Sequence, residues 1–292
     1  MDKAFFKIST GVLHLISLLP FSVLYLLADM IYFAMYRVVG YRKDVVRTNL
    51  KNAFPEKTDA ERKLIEKKFY RFLADMMLET IKMSTMSAKD FEKRVKLTVP
   101  EVIQNHLNNN KSVLIVSGHY GNWEWGSVRH STYYNELLLV IFKPLTDKNF
   151  ENYFNKIRSR FGAVTVPMKL TLRKIIEYKD EKFCIGFAGD QTPVKGEARY
   201  FTTFLNQPTA VFLGVEKIAK MTNHPVVFGN MERVRRGYYE CWFKTLFENP
   251  KEAAEYEITE AHTKALEEVI KARPEFWLWS HKRWKFKPED VK

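Results

Sequence analysis

The sequence predicts an α/β fold: a central mixed β-sheet flanked by helices, behind an N-terminal helical segment that associates with a membrane. Three observations lead there. From about residue 111 onward, short apolar runs alternate with helical stretches, the pattern of a sheet covered by helices. Residues 43–95 keep helical spacing throughout. Ahead of both, Ile8–Ala28 carries no formal charge and would reach about 31 Å as one continuous helix, enough to cross a hydrocarbon core. The chain has 292 residues, 46% of them hydrophobic and 28% charged, which excludes a disordered tail or a fibre. Cys184 and Cys241 are too few for a disulfide framework and sit in apolar runs, so both are expected as buried thiols. The formal net charge of +13 calls for an acidic counterpart: nucleic acid, a membrane surface, or an acidic partner or substrate.

The N-terminal segment admits several structures. Its apolar region is too long for a cleavable signal peptide. A single transmembrane helix fits the length, but Pro20 interrupts the run and suits the start of a second helix, giving a helix–break–helix in the membrane interface. His14 and Asp29 weigh against spanning, and a helical pair buried in a soluble core is the third alternative. Arg37, Arg42, Lys43 and Arg47 follow the segment whereas only Lys3 and Lys7 precede it, which puts the body on the cytoplasmic side. The expected division is an anchor over 1–38 and a catalytic domain over 39–292, with helical residues 43–95 packed on an α/β core over 111–292.

Within the helical part, Thr58-Asp59-Ala60-Glu61 is a capping box. Behind it Leu64, Phe69, Phe72, Leu73, Met76, Met77 and Ile81 recur at helical spacing, with Arg62, Lys63, Lys67, Lys68 and Arg71 forming a basic face. Buried strands are expected at Ser112–Ser117, Leu137–Phe142, Phe183–Ala188 and Val226–Gly229, and a later one at Tyr239–Thr245 after the Arg235-Arg236-Gly237 turn. Helices fall at about 122–131, 148–161, 169–178 and 209–221. A last helix begins at Asn249-Pro250 and runs to Arg273, stopped by Pro274.

The sharpest local pattern is Ser117-Gly118-His119-Tyr120-Gly121-Asn122-Trp123-Glu124, after a strand and before a helix. The five-residue step from His119 to Glu124 would not share a face of one helix, but across a strand–turn–helix the two can meet. Gly118 and Gly121 allow a tight turn. A histidine oriented by a carboxylate can take a proton from a hydroxyl without any protein nucleophile, and turn N–H groups can hold an oxyanion. The same pair serves equally as a structural contact. No cysteine pairing, H-E-x-x-H, G-x-S-x-G, Walker loop or G-x-G-x-x-G occurs, so zinc, serine hydrolase, P-loop and dinucleotide chemistry lack their signatures. Lys156–Gly162 ends a helix and offers Arg158 and Arg160 either as C-terminal charges or as a fork for a phosphate or oxyanion. Gly189-Asp190-Gln191 follows a buried strand, and Asp190 is placed to hold an arginine, to hold His119 or to cap the turn.

These segments together resemble the bacterial lipid A biosynthesis acyltransferases of the lauroyl/myristoyl type, within the wider His-x4-Asp/Glu acyltransferases. The likeness spans nearly the whole chain. Arg42–Glu56 (RKDVVRTNLKNAFPE) is similar to an early family segment, Ser117–Glu124 holds the His-x4-Glu motif, and Arg158-Ser159 and Gly189-Asp190 match family positions around the site. Phe201–Ala210 resembles an aromatic-rich stretch, and Pro274–Trp284 resembles the C-terminal P-E-x-x-x-W-x-H-x-R-[WF] signature.

The resemblance implies an inner-membrane enzyme facing the cytoplasm that moves a fatty acyl group from an acyl carrier protein thioester to a lipid hydroxyl. It implies His119 as base, Glu124 as its orienting partner, and Arg158 with Asp190 as the electrostatic surround. Arg160 and Arg283 are expected to bind substrate, and His281 to serve structure or donor binding. No metal or cofactor is expected beyond an acyl carrier protein or coenzyme A thioester as co-substrate. The acceptor is a lipid A-type glycolipid precursor, another sugar lipid or an aminolipid, since the loop after Asp190 differs among relatives. Tyr120, Trp123, Trp125, Phe201 and Phe204 are offered as an acyl groove or as core. A non-catalytic lipid- or carrier-binding relative is the second class of function. Nucleic-acid binding is the third and is disfavoured, because no recognition motif accompanies the charge.

Overall fold

A computed structural model describes residues 3–291. The helices are α1 (Lys3–Leu18), α2 (Phe21–Phe33), α3 (Lys43–Ala53), α4 (Asp59–Lys82), α5 (Ala88–Arg94), α6 (Glu101–Asn108), α7 (Trp123–Ser131), α8 (Lys148–Arg158), α9 (Thr171–Glu177), α10 (Gly214–Thr222) and α11 (Glu257–Ala272). The strands are β1 (Val95–Thr98), β2 (Val113–Ser117), β3 (Leu137–Phe142), β4 (Val164–Pro167), β5 (Phe183–Ala188), β6 (Phe201–Phe204), β7 (Gln207–Ala210), β8 (Val226–Arg235) and β9 (Tyr238–Phe247).

Seven strands form one mixed sheet in the order β1-β9-β8-β2-β5-β3-β4, antiparallel only at the β8–β9 hairpin. Strands β6 and β7 form a separate antiparallel hairpin. Alternation along the strands divides the core. Val113, Ile115 and Leu138 face the layer containing α4 to α7, while Leu114, Val116, Leu139 and Ile185 face α9 and α10. Both cysteines are free and buried on the first face.

The five expected strands and the four expected central helices are present, and Thr58 with Glu61 closes the capping box at the start of α4. Four strands were not expected: β1, β4, β6 and β7 have four residues each, too short to show periodicity. The last helix is broken. A short turn at Pro250–Glu252 is separated from α11 by Tyr256, whose φ of 65° no helix continues through. On α4, Leu64 and Met77 are exposed rather than core.

The N-terminal run is a helix–break–helix. Helix α1 stops at Leu18, Pro20 is extended, and α2 begins at Phe21. Helix α2 continues through a π-helical segment, Ala34–Val39, so the stretch long and apolar enough to cross a membrane is Phe21–Val39. Its inner face, Leu24 and Ala28, packs on Ala74 and Leu78 of α4. Its outer face exposes Val23, Leu26, Met30 and Phe33, and α1 exposes Phe5, Ile8, Val12, Leu15 and Leu18 at the same helical spacing. Asp29 is paired with Arg236 at 2.8 Å, and Asp75 of α4 holds both Arg236 (2.6 Å) and Arg233 (2.7 Å), so the β8–β9 turn pins this layer to the sheet.

Candidate active site

The polar cluster forms where parallel strands end. Ser117 at the end of β2 lies opposite Ala188 at the end of β5, so residues two further along each chain, His119 and Asp190, face one another. Their pairing follows from register. Gly189 N–H donates to the Ser117 carbonyl at 3.1 Å and holds the two loops together. Crevices at the carboxyl ends of parallel strands are where ligands collect in open α/β sheets.

His119 Nδ1 donates to Asp190 Oδ1 at 2.6 Å, and the His119 backbone N–H donates to Asp190 Oδ2 at 2.9 Å. Asp190 Oδ2 also accepts from Trp277 Nε1 at 2.7 Å. With the Nδ1 proton committed to the carboxylate, Nε2 is the acceptor, and the Gln191 amide donates to it at 3.1 Å. Burial alone would push the His119 pKa down, but the Asp190 charge and hydrogen bond outweigh it, and the pKa is raised. Burial would raise Asp190, but the His119 charge and three hydrogen bonds hold it well below the usual carboxylate range.

The orienting carboxylate is therefore Asp190 and not Glu124. Glu124 lies in the first turn of α7 and receives Arg158 from the end of α8, with Arg158 Nε on Oε2 at 2.8 Å and Nη2 on Oε1 at 2.5 Å. Burial lowers the Arg158 pKa, but the Glu124 hydrogen bonds and charge more than restore it, so its proton is held more firmly than usual. Two of the turn's N–H groups are already committed. The His119 N–H is spent on Asp190, and the Gly121 N–H donates to Phe276 O at 3.0 Å.

The turn is fixed by close approach. Gly121 has φ 61°, and a Cβ there would meet the Met231 carbonyl oxygen at 1.9 Å, so no other residue fits. Asn122 then caps α7 through Trp125 N–H (3.1 Å) and donates its own amide to the buried Glu79 (2.8 Å). Glu79 also accepts from Tyr25 and Tyr239, and its backbone oxygen takes Trp125 Nε1. Glu79, Asn122, Gln191 and Trp277 were not singled out from sequence. Trp277 lay in the C-terminal signature, Asn122 in the His119 turn and Gln191 beside Asp190, but nothing in those patterns pointed to these contacts.

That signature is strapped down by the early segment. Asn49 Nδ2 donates to Trp279 O (2.9 Å) and His281 O (3.0 Å), and Arg42 Nη1 donates to Ser280 O (3.0 Å). Thr192 Oγ1 donates to Arg283 O at 2.7 Å, and Thr192 N–H donates to His281 Nε2 at 3.3 Å. His281 is thus a neutral acceptor within the scaffold, its pKa pushed by burial down to about 4. Two expected binding residues do not reach the cavity. Arg160 donates to the Met83 and Met86 carbonyls, and Arg283 is 2% exposed, with burial bringing its pKa down to about 10. Arg233 and Arg236 are committed to Asp75 and Asp29, and Arg235 lies on the Tyr238 ring.

His119, Glu124 and Arg158 border a largely apolar cavity of about 640 Å³. Of the five aromatic residues offered for a groove, Tyr120 and Trp123 line it, while Trp125, Phe201 and Phe204 do not. Among the described residues, no group of three or more His, Cys, Asp or Glu side chains converges as a metal site.

An open mixed sheet with a His–Asp pair at its strand ends has the architecture of an α/β enzyme, here with an apolar chamber beside the polar cluster. The chain belongs to the bacterial lipid A biosynthesis acyltransferase family, whose model matches residues 3–286. That makes it a member of a family of transferases that act in lipid A biosynthesis. No curated protein gives a significant match to the chain.

Proposed function

We propose that this protein transfers a fatty acyl group from an acyl carrier protein thioester to a hydroxyl of a lipid A-type glycolipid precursor, with His119 as general base. The observation that carries the reading is the geometry of His119, with Nδ1 bound to Asp190 and Nε2 beside an apolar cavity. The acceptor hydroxyl takes the place of the Gln191 amide at Nε2. Its oxygen attacks the thioester carbonyl carbon while its proton passes to Nε2. Asp190 supports the imidazolium so formed, which is the reason for a carboxylate at Nδ1. The Arg158 guanidinium, held by Glu124, supplies positive charge for the carbonyl oxygen as it becomes an oxyanion. Collapse re-forms the carbonyl and breaks the C–S bond, and the leaving thiolate recovers the proton from His119. This sequence moves one proton and one acyl group and asks for no metal or resident cofactor.

The exposed apolar faces of α1 and α2 support residence at a membrane, where both the acceptor and the acyl chain partition. The reading places the body on the cytoplasmic side of the inner membrane, with residues 1–38 as its attachment. Exposed Lys282, Lys285 and Lys287 supply the surface for an acidic carrier protein, and rates with such a donor are expected to fall with added salt. His119→Ala is expected to lower acyl transfer by about 10²- to 10⁴-fold while leaving the far-ultraviolet spectrum unchanged. Transfer by the folded variant at the wild-type rate would remove His119 from the reaction and favour a non-catalytic lipid-binding role.

A further inference from the structure

The cavity has an internal geometry that the reaction alone does not explain. One face of α7 lines it, at Trp123, Gly126, Ser127 and His130, a spacing of one helical stripe. The opposite wall is the sheet, where Ile115, Leu138, Val140 and Gly186 line it from alternate positions of adjacent strands. Gly186 pairs with Ile115 on one side and Val140 on the other, at the centre of the parallel sheet.

Two of these lining residues are glycines in the middle of regular elements, and neither has a backbone reason to be one. Neither is among the positive-φ glycines of the chain. A Cβ at Gly126 would meet only Met231 Sδ, at 3.7 Å, and a Cβ at Gly186 only the Leu139 carbonyl, at 4.0 Å. Both are ordinary contacts. Gly229, which also lines the cavity, is different, since a Cβ there would press on Ile115 at 3.1 Å. Gly229 is required by packing. Gly126 and Gly186 keep space open.

His130, one helical turn beyond Gly126 on the same stripe, is 3% exposed, and its Nε2 has no hydrogen-bond partner among the described residues. Burial brings its pKa down to about 3, so the ring is neutral and the inner wall is uncharged. A largely apolar cavity bordered by His119, two open glycines and a neutral ring suits a saturated chain.

We propose that Gly126 and Gly186 are specificity-determining positions that set how long a saturated alkyl chain the cavity admits. The assignment rests on the acyl-transfer reading above. The chain has two possible sources, the donor's acyl group and a chain already carried by the acceptor.

The test uses the full chain and compares wild type with Gly126→Leu, Gly186→Val and the smaller Gly126→Ala. One arm measures transfer from a graded series of saturated acyl thioesters of acyl carrier protein to a hydroxyacyl glucosamine lipid. A second arm holds the donor fixed and grades the acceptor's chain. A third measures direct binding of graded saturated fatty acids by calorimetry. The larger substitutions are expected to raise the ratio of short-chain to long-chain rates by about tenfold or more in one of the first two arms, which names the source. Gly126→Ala is expected to shift the same ratio in the same direction by less. Affinity for the longest fatty acids should fall with it. Folded variants whose losses are the same at every chain length in all three arms would overturn the assignment and leave acyl transfer standing. Absence of transfer by the wild type with every donor, alongside length-dependent binding that the substitutions shift, would sink the acyl-transfer reading and leave the assignment of the cavity intact.

Discussion

Two histidines line one cavity, His119 ahead of α7 and His130 in its last turn, and they differ in partner and in the direction of their pKa. His119, on the turn after β2, has a carboxylate at 2.6 Å, and its pKa is raised. His130, on the last turn of α7, has no charged neighbour and is held neutral down to about 3. Burial lowers the basicity of both, and at His119 the Asp190 charge and hydrogen bond, with a smaller push from the Glu124 charge, reverse it. The difference in basicity is therefore a property of the β2–β5 register, which brings the carboxylate, and not of a histidine's presence at the cavity.

The sharpest way to break that comparison is to make His119 resemble His130. Asp190→Asn removes the charge but keeps an acceptor, and is expected to lower the rate by about 10²-fold or more. The wild-type rate should rise with pH through an apparent pKa above the ordinary histidine value of about 6.5, because the base must be neutral to act. In Asp190→Asn the residual activity should titrate at lower pH. A pH–rate profile of both proteins checks this, and an unchanged midpoint would detach Asp190 from the titration. Trp277→Phe removes one of three hydrogen bonds to Asp190 but leaves its charge, so it should cost less, about tenfold in rate, with the midpoint of the profile close to wild type.

The smallest effect is expected at the other histidine. His130→Phe removes a buried atom without a partner and should leave the rate within a few-fold. It should change the stability profile instead. A histidine whose folded pKa lies below its unfolded value costs stability as pH falls below about 6.5, because the unfolded chain binds the proton and the native one refuses it. Thermal melts at neutral pH and near pH 5 should show the variant losing less on acidification than the wild type. Equal losses would mean that His130 is hydrated and titrates freely.

The sheet and the strand-end location of the site were legible because Leu137–Phe142 and Phe183–Ala188 are apolar runs of full strand length. Strands of four residues left no period to read, so β1 and the β6–β7 hairpin were invisible. His119 was legible from its glycine-flanked turn. The partner was misassigned because Glu124 is near in sequence, whereas Asp190 is near only through the parallel pairing of β2 with β5. Arg160 and Arg283 fall outside the cavity for a similar reason. Their charge is visible in sequence, but whether it meets a backbone carbonyl or substrate depends on contacts across the fold, as between Arg160 and the Met83 carbonyl. Glu79 offered no local pattern, and Asn122, though inside the His119 turn, gave no sign of its contact with Glu79 across α4 and α7.

The strap between Asn49 and residues 279–281 also constrains the order of events during synthesis. Helices α1 to α3 leave the ribosome first, while most of the sheet is still unmade. The loop carrying Asp190 is made long before Trp277, so its last hydrogen bond waits for a segment translated near the end. A nascent chain thus has its histidine and aspartate already made while the aspartate still lacks its tryptophan. Final assembly of the polar cluster is a late and long-range step, completed only when almost all of the chain has been made.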